Sequence, residues 1–565
     1  MVAAGLVIAL VLPFAIPSVY VMRLVNMALI FGMLAVSLNI VLGYAGLISL
    51  GHAGLFGIGA YTAALLTTGR DGIWFIPAFL AAGAVTAVAG LLVGLPILRL
   101  KGHYLALSTL GFGEIVGSLL LNWRSLTLGN NGVGEIPPPA AFGFALDTDL
   151  RFYYLLMPIA GLTLLFAWRL AISRYGRLLF AIRDAELAAG SAGVNVPALK
   201  LLAFTVSAAI AGFAGALYAH LMAYISPDVF GFDVTAQLLS MVVVGGLGSV
   251  AGPMIGAAIL TFLPEVLRVS AAYYQLIYGA GMIALVVFLP LGLVGVLGRR
   301  APRAPVGVRT APPAAAAPMV QPVLRPGPLL QVTGLQKRFG GLVAIGGLDF
   351  TVATGSIHAL IGPNGSGKST FINLASGLYH PNAGTILFDG QRISGVRPWR
   401  IAQAGLARSF QNLRTFRSLT VMDNVLVGSG KGDALQRRAE DALDLLGLWH
   451  LRGQPITTLP HEQQRLVEIA RCVAMQARMI MLDEPAAGMN PTEVDRLVLA
   501  IQTLRRRGIT ILLVEHNMPM VMRVADQITV LNFGRQIAEG APAAIRADPA
   551  VIGAYLGKRA VAHAA

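Results

Sequence analysis

The sequence runs to 565 residues, of which 56% are hydrophobic and only 12% charged, and it carries a formal net charge of +15. A soluble enzyme has about a quarter charged residues, so part of the chain must live in lipid. The basic balance lies in arginine-rich loops between apolar stretches, which fits a cytoplasmic membrane face and argues against a nucleic-acid partner. The single cysteine, Cys472, excludes disulfide and cysteine-based metal frameworks and reads as a packed thiol.

Apolar stretches lie at residues 3–21, 25–45, 50–67, 73–98, 104–121, 152–170, 199–225, 235–264 and 271–297. Each is near or beyond the ~20 residues that cross a bilayer, and some are too long or too glycine-rich for one straight helix. The expectation is a polytopic all-α membrane domain of about eight to ten helices over residues 1–298. The first stretch lacks a basic start and is followed at once by another span, so it is expected to be a membrane helix and not a cleaved signal peptide. Small residues recur at helix-packing spacing in GHAGLFGIGAYTAA (51–64) and SAAIAGFAGALYA (207–219), which lets helix backbones approach closely. Arg169, Arg174, Arg177, Arg183 and Lys200 bracket one polar loop, and Arg299, Arg300, Arg303 and Arg309 follow the last stretch. The positive-inside bias puts both regions in the cytoplasm.

Few polar residues sit among these spans. Glu114 in STLGFGEIVGS is an ionisable group at membrane depth, a functional candidate by default, with local hydrogen bonding near a helix end as the competing role. Asn39, Ser49 and His52 are candidates for a broken helix or cavity on the substrate path, since discontinuous helices offer free backbone groups to a small zwitterion. The polar loop around 176–193 holds AIRDAE (181–186), then Ala188, Ala189 and Gly193. A short amphipathic helix there would lie along the membrane and dock on a cytoplasmic domain.

Residues 299–327 are rich in Pro, Ala and Arg without apolar periodicity and are expected to form an extended, partly stiff tether. From residue 328 the composition becomes that of an ordinary globular domain. Phe339 closes the stretch LQKRF and can offer a ring face to adenine. Then GSIHALI, a glycine-rich loop and FINLASGLY give the order strand, loop, helix. The loop, Gly362, Pro363, Asn364, Gly365, Ser366, Gly367, Lys368, Ser369 and Thr370, fits the nucleotide-binding pattern G-x-x-x-x-G-K-[ST]. Its backbone N–H groups and the following helix end can wrap a phosphate, Lys368 can reach the terminal phosphates, and the Ser369 hydroxyl can ligate Mg²⁺.

Downstream, Gln411 in ARSFQNLRTF can reach a metal-bound water with its amide. A helical insert is expected over about 431–472, where Leu435, Ala439, Ala442 and Leu446 share one face. MIMLDEP (479–485) is an apolar strand ending in two acids: Asp483 is suited to the Mg²⁺ shell and Glu484 to the attacking water. Asn490, in the tight loop AAGMN, is a candidate for communication across a dimer interface. A further apolar strand, ITILLV, leads to His516, whose imidazole can donate to the γ-phosphate. The strands at 357–361, 479–482 and 510–514 with intervening helices describe a parallel-sheet core, a cytoplasmic α/β P-loop domain.

On these residues the second half resembles the ATP-binding-cassette ATPases over nearly its full length. RFGG, RSFQN, DEPAAGMNP and VEHNM are worded as in the ATPases of branched-chain amino acid importers. The first half is similar to a permease of the same systems through GYAGLISLGHAGLFGIGAYTAALL (43–66), LKGHYLALSTLGFGEI (100–115), GRLLFAIRDAELAAGSAG (176–193) and VVVGGLGSVAGPMIGAAIL (242–260). The 181–193 segment resembles the coupling pattern E-A-A-x-x-x-G, beginning at Glu186 with one residue inserted after it.

The resemblance implies a permease fused to its ATP-binding subunit in a bacterial inner membrane. It further implies a second permease subunit, a second ATPase, a periplasmic or lipid-anchored substrate-binding protein, and two ATP molecules sandwiched head to tail. Adenine stacking carries over to Phe339, the phosphate loop to Gly362 through Thr370, the lid glutamine to Gln411, magnesium binding to Asp483, the catalytic glutamate to Glu484 and the switch histidine to His516. Urea, short amides or other small polar solutes are alternative cargoes; a membrane-anchored ATPase without transport is the alternative of another class.

One motif departs from the family. Leu459, Pro460, His461, Glu462 and Gln463 occupy the signature loop, with glutamate where a glycine is expected at 462. A carboxylate there can occupy its own helix end and repel the γ-phosphate of the opposing subunit. The resemblance then implies an asymmetric pair of sites if the partner is a different ATPase with an intact signature, which would complete this chain's own phosphate loop; a homodimer would have both sites impaired.

Overall fold

The computed structural model describes residues 18–69, 74–141, 144–267, 327–428 and 433–556, with residue 13 and short stretches between 279 and 297. The apolar stretches expected at 3–21 and 271–297, and the 299–327 tether, lie largely outside the described residues. The chain divides into two compact units. One comprises Met1–Arg183 with Pro197–Ala301, and the other Asp184–Val196 with Pro302–Ala565.

The first unit is helical: α1 Val19–Asn39, α2 His52–Thr67, α3 Phe75–Ile97, α4 His103–Asn122, α5 Asp149–Ile172, the first part of α6 (Arg174–Ser191), α7 Val196–Met222, α8 Phe232–Gly245 and α9 Gly252–Leu267. Among the described residues five helices are long and apolar enough to cross a membrane, with α1 extended by a π-helical turn, Ile40–Tyr44. The apolar stretch read at 235–264 is two shorter helices, because the chain turns at Gly246, whose φ is 121°. Close packing of small residues holds α2 against α7: a Cβ on Gly59 would lie 2.4 Å from the Gly212 Cα. An aromatic cluster of Phe31, Phe56, Tyr218 and Phe230 fills the space beside this contact, with Phe56 and Phe230 edge to face at 5.4 Å.

The second unit carries two sheets. The first is antiparallel and four-stranded, in the order β2-β1-β4-β5, from β1 Pro328–Phe339, β2 Leu342–Ala353, β4 Ala383–Phe388 and β5 Gln391–Arg392. The second is six-stranded, in the order β10-β9-β3-β8-β7-β6, from β3 Ile357–Ile361, β6 Leu406–Arg408, β7 Met479–Asp483, β8 Thr510–Val514, β9 Gln527–Asn532 and β10 Arg535–Gly540. Strands β9, β3, β8, β7 and β6 run parallel, and only β10 is antiparallel. Every residue of β3, β7 and β8 is buried, as expected of strands covered on both faces.

Helices follow the strands: α10 Lys368–Ala375 after β3, then α11 Val421–Leu426, α12 Asp433–Leu445 and α13 His461–Ala474, with α14 Pro491–Arg506 after β7 and α15 Met518–Val524 after β8. The helical insert therefore begins earlier in the chain than the expected 431. Leu435, Ala439 and Ala442 are buried on the face where the periodicity puts them, while Leu446 is half-buried just beyond the end of α12. In register, Val514 of β8 lies opposite Asp483 on one side and Leu360 on the other. Gly362, Glu484 and His516 thus all leave the sheet at its carboxyl edge, where open parallel sheets place ligand sites.

Candidate nucleotide site

The phosphate loop leaves the buried strand β3 and enters α10 at Lys368. Gly362 has φ 152°, and a Cβ on it would meet the Leu531 carbonyl oxygen at 2.1 Å, so the β9 backbone leaves room for hydrogen alone. Lys368 is nearly buried and its Nζ donates to the Gly362 and Pro363 carbonyls at 2.7 and 2.9 Å and approaches Ser366 Oγ at 3.4 Å. Burial lowers its pKa, opposed by the Glu484 and Asp483 carboxylates. Its neighbour Ser369 is exposed in the first turn of α10. The side chain of Phe339, 42% exposed at the end of β1, meets Tyr379 edge-on at 5.3 Å and has Lys337 Nζ 5.0 Å from its ring centre.

Asp483 is buried at the end of β7, and its two oxygens differ. Oδ2 lies 3.4 Å from Arg408 Nη2, whereas Oδ1 is buried with no hydrogen-bond partner. Burial raises the Asp483 pKa, Arg408 opposes that, and Glu484 adds to it. An orphaned, buried carboxylate oxygen beside a phosphate loop fits a group that a hydrated Mg²⁺ would satisfy. Among the described residues no cluster of three or more His, Cys, Asp or Glu could hold a metal alone.

Glu484 adopts a left-handed backbone, φ 45°, a conformation that costs a non-glycine residue about 1 kcal/mol or more. Its N–H bonds the Val514 carbonyl at 2.8 Å, and the turn points the carboxylate back toward the site. Gln411 Nε2 donates to Glu484 Oε2 at 2.8 Å, and His516 Nδ1 lies 3.9 Å from the same oxygen. These three candidates, far apart in sequence, are thus brought to one carboxylate. Asn490 has a different place: it caps α14, accepting from Glu493 N at 3.0 Å while Glu493 returns a bond to the Asn490 N–H. The loop read as a dimer contact is locally a capping box.

Three residues outside the sequence candidates organise the site. Arg408, at the end of β6, is buried, bonds Asn373 Oδ1 at 2.7 Å and Ser376 Oγ at 2.8 Å, and lies 4.5 Å from the Phe410 ring centre. Burial pushes its guanidinium down to about 10, so it stays charged at neutral pH. Glu515 is buried and ties two loops together, accepting from Ala486 N at 2.8 Å and from His516 N and Asn517 N at 3.0 and 3.2 Å. Arg465 is fully buried on α13, paired with Glu468 at 2.8 Å, and donates to the Phe410 and Gln411 carbonyls. An arginine closing an otherwise apolar strand is the signal that marks Arg408 in the sequence, whereas Arg465 shares its helix face with His461, Glu462 and Glu468 and carries no such signal. Cys472 is buried beside Arg408, and burial pushes its thiol up to about 12, so it is an inert packed group.

The signature residues open α13. Leu459 is buried and Pro460 is the N-cap, without a side-chain cap bond. His461, Glu462 and Gln463 form the first turn. The Glu462 carboxylate does not fold onto its own helix end as anticipated. It is 5% exposed and bonds Arg496 Nη1 of α14 at 3.1 Å.

The 176–193 segment divides between the units at Arg183 and Asp184. Within α6, Ala185 is non-helical at φ −155° and ψ 80°. Beyond it Ala188 and Ala189 are buried, Glu186 is half-buried, and Gly193 turns the chain at φ 82°. Inside the second unit Asp184 Oδ2 accepts from both Ser418 N and Ser418 Oγ at 2.6 Å, and the Gly193 carbonyl accepts from Gln403 Nε2 at 3.0 Å. Ser418 lies on the loop that follows β6 and carries Gln411.

The membrane candidates are placed otherwise. His52 is fully buried, with Nδ1 2.9 Å from Ser49 Oγ and Nε2 2.9 Å from Ser207 Oγ, which in turn donates to the Ser37 carbonyl at 2.6 Å. Asn39 donates to the Ser249 carbonyl at 2.8 Å and accepts from Gly248 N at 2.9 Å. Between α1 and α2 the chain is non-helical over 45–51, and these polar groups bond one another and neighbouring backbone across that stretch. Glu114, in contrast, is exposed on α4 beside Ile115, which is 68% exposed.

Comparison with known proteins follows the same division. Residues 20–286 match the family described as branched-chain amino acid transport system / permease component, 345–487 the ABC transporter family, and 535–561 the branched-chain amino acid ATP-binding cassette transporter family. The chain is 41% identical over 251 residues to the high-affinity branched-chain amino acid transport ATP-binding protein BraF of Pseudomonas aeruginosa, covering 41% of this chain and 98% of that one. The identity and coverage are the same for LivG of Escherichia coli K12, which carries the same description. The chain is also 38% identical over 314 residues to the high-affinity branched-chain amino acid transport system permease protein LivM of Salmonella typhimurium, covering 52% of this chain and 73% of that one. This chain belongs to the branched-chain amino acid ATP-binding cassette transporter family, with a permease component and an ATP-binding component in one polypeptide.

Proposed function

We propose that the chain is an ATP-hydrolysing subunit of a multi-pass inner-membrane importer that moves branched-chain amino acids inward. The relatives named for high-affinity branched-chain amino acid transport support that cargo. The observation that carries the coupling is the bonded route from Asp184, through Ser418 and its loop, to Gln411 and Glu484. It ties a segment between membrane helices to the carboxylate best placed to act on water.

In this reading Gly362 through Thr370 cradle the phosphates, with Lys368 exchanging its carbonyl partners for phosphate oxygens. Phe339 stacks on adenine. Ser369, Asp483 and Gln411 hold the hydrated metal, and the free Oδ1 of Asp483 supports that assignment. Magnesium bound there would neutralise charge on the β- and γ-phosphates. Glu484 orients the attacking water and takes its proton, while His516 contacts the γ-phosphate.

The functional assembly adds a second permease, a periplasmic or lipid-anchored substrate-binding protein and a second ATPase. A glutamate in place of the signature glycine supports a different ATPase, with an intact signature, as that partner. The exposed Glu114 on an apolar helix supports a protein or water contact on that face of α4, because a lipid-facing carboxylate is costly.

Uptake of labelled leucine by vesicles holding the full complex and its binding protein tests the reading. Glu484→Gln is expected to reduce ATP turnover and uptake together by about 100-fold or more. Uptake that persists without this carboxylate would refute ATP-driven transport through the site.

A further inference from the structure

The first-turn N–H groups of a helix have no intrahelical partner, and an acid in that turn ordinarily folds back toward them. In α13 the N-cap is Pro460, which supplies no side-chain cap, so those groups are open to such a carboxylate. Glu462 is the second residue of the helix, yet its carboxylate goes elsewhere. Its side chain is 7% exposed and ends on Arg496 Nη1 at 3.1 Å, while Arg496 itself, on α14, is 62% exposed. A nearly buried acid thus has a largely solvated arginine as its cation, and the two sit 34 residues apart on different helices.

We propose that Arg496 is a positioning residue for the signature: it draws the Glu462 carboxylate toward α14 and neutralises it, so that the start of α13 remains able to receive the partner's γ-phosphate. The inference rests on the reading of this chain as one ATPase of a sandwiched pair. Glutamate removes the close approach that glycine would allow, and Arg496 limits the defect to that steric part. Without Arg496 the carboxylate is released beside the positive end of its own helix, where it competes with phosphate for the same N–H groups and repels it.

A double-mutant cycle on the full chain, co-purified with the subunits it assembles with, tests this. MgATP affinity is read with Glu484→Gln in every variant, and thermal stability is read alongside. Arg496→Ala is expected to weaken MgATP binding by about fivefold or more when Glu462 is present. In Glu462→Gly and Glu462→Gln backgrounds the same change should move affinity by less than about twofold, and Arg496→Lys should retain most of the wild-type affinity. An equal loss in all backgrounds, or no loss beside Glu462, overturns the proposal, as does a loss that tracks stability alone. Leucine-driven ATP turnover by the complex with Glu484 intact is the separate check on the transporter reading, so an additive cycle in a turning-over complex sinks Arg496 alone.

Discussion

His52 and Asn39 of the membrane unit and Asp483 and Lys368 of the nucleotide site are all buried, but they differ in how they are bonded. His52 has both ring nitrogens engaged, and Asn39 uses both ends of its amide. Asp483 keeps one oxygen without a partner, Lys368 is turned back on loop carbonyls, and Glu484 sits in a strained backbone. Saturated polar groups fix a helix break, since every alternative arrangement loses a bond. The unpartnered oxygen of Asp483 gains a bond when an ion or ligand reaches it. The contrast holds for these residues, since buried unpartnered atoms also occur elsewhere in the membrane unit, at Asn26 Oδ1, Tyr61 OH and His220 Nε2.

The largest effect that would sharpen this contrast is expected at Arg408, which faces the bonded oxygen of Asp483. Arg408→Ala should reduce ATP turnover at neutral pH by about 10- to 100-fold, the scale for losing a group that orients a metal ligand. The sign of its pH dependence follows from the cause. Burial already raises the Asp483 pKa and Arg408 opposes it, so removing Arg408 raises it further. Activity needs the ionised form and is lost as pH falls through the folded pKa, so the acid limb of the rate profile should move to higher pH. An unmoved limb would mean that Asp483 does not depend on Arg408.

Asp184→Ala is expected to have an intermediate effect, lowering uptake about tenfold through loss of its charge-assisted bonds to Ser418. ATP turnover should stay within about twofold. A parallel fall in both would show that this segment supports the ATPase fold and does not transmit force. The smallest functional effect is expected at His52. His52→Ala should lower unfolding stability by about 1–3 kcal/mol, while the KM for uptake in the folded fraction stays within about twofold. A changed KM at unchanged stability would break the comparison and return His52 to the substrate path.

Much of the chemistry was legible because it is encoded locally. A strand, a glycine loop and a Lys-Ser pair at a helix start need only neighbouring residues to form a phosphate cradle, and two acids at the end of an apolar strand must emerge at a sheet edge. The order of Phe339, Gln411, Asp483, Glu484 and His516 could likewise be read along the chain. The bonding partners of Asn39 and His52 were not legible. Whether a polar residue between apolar spans faces a cavity or a bonding partner depends on Ser207, Gly248 and Ser249, residues more than 150 positions away.

By itself the sequence determined the class of both halves, the nucleotide motifs and the presence of a glutamate in the signature. Hydrophobic period, charge bias and loop chemistry act over a few residues, so they survive in one dimension. Only the tertiary structure decided which polar groups meet: Arg408 with Asp483, Asp184 with Ser418, and Glu462 with Arg496. Those pairings depend on strand order and helix packing, which bring distant residues within hydrogen-bond range and decide whether an unexpected acid is free to repel or already held.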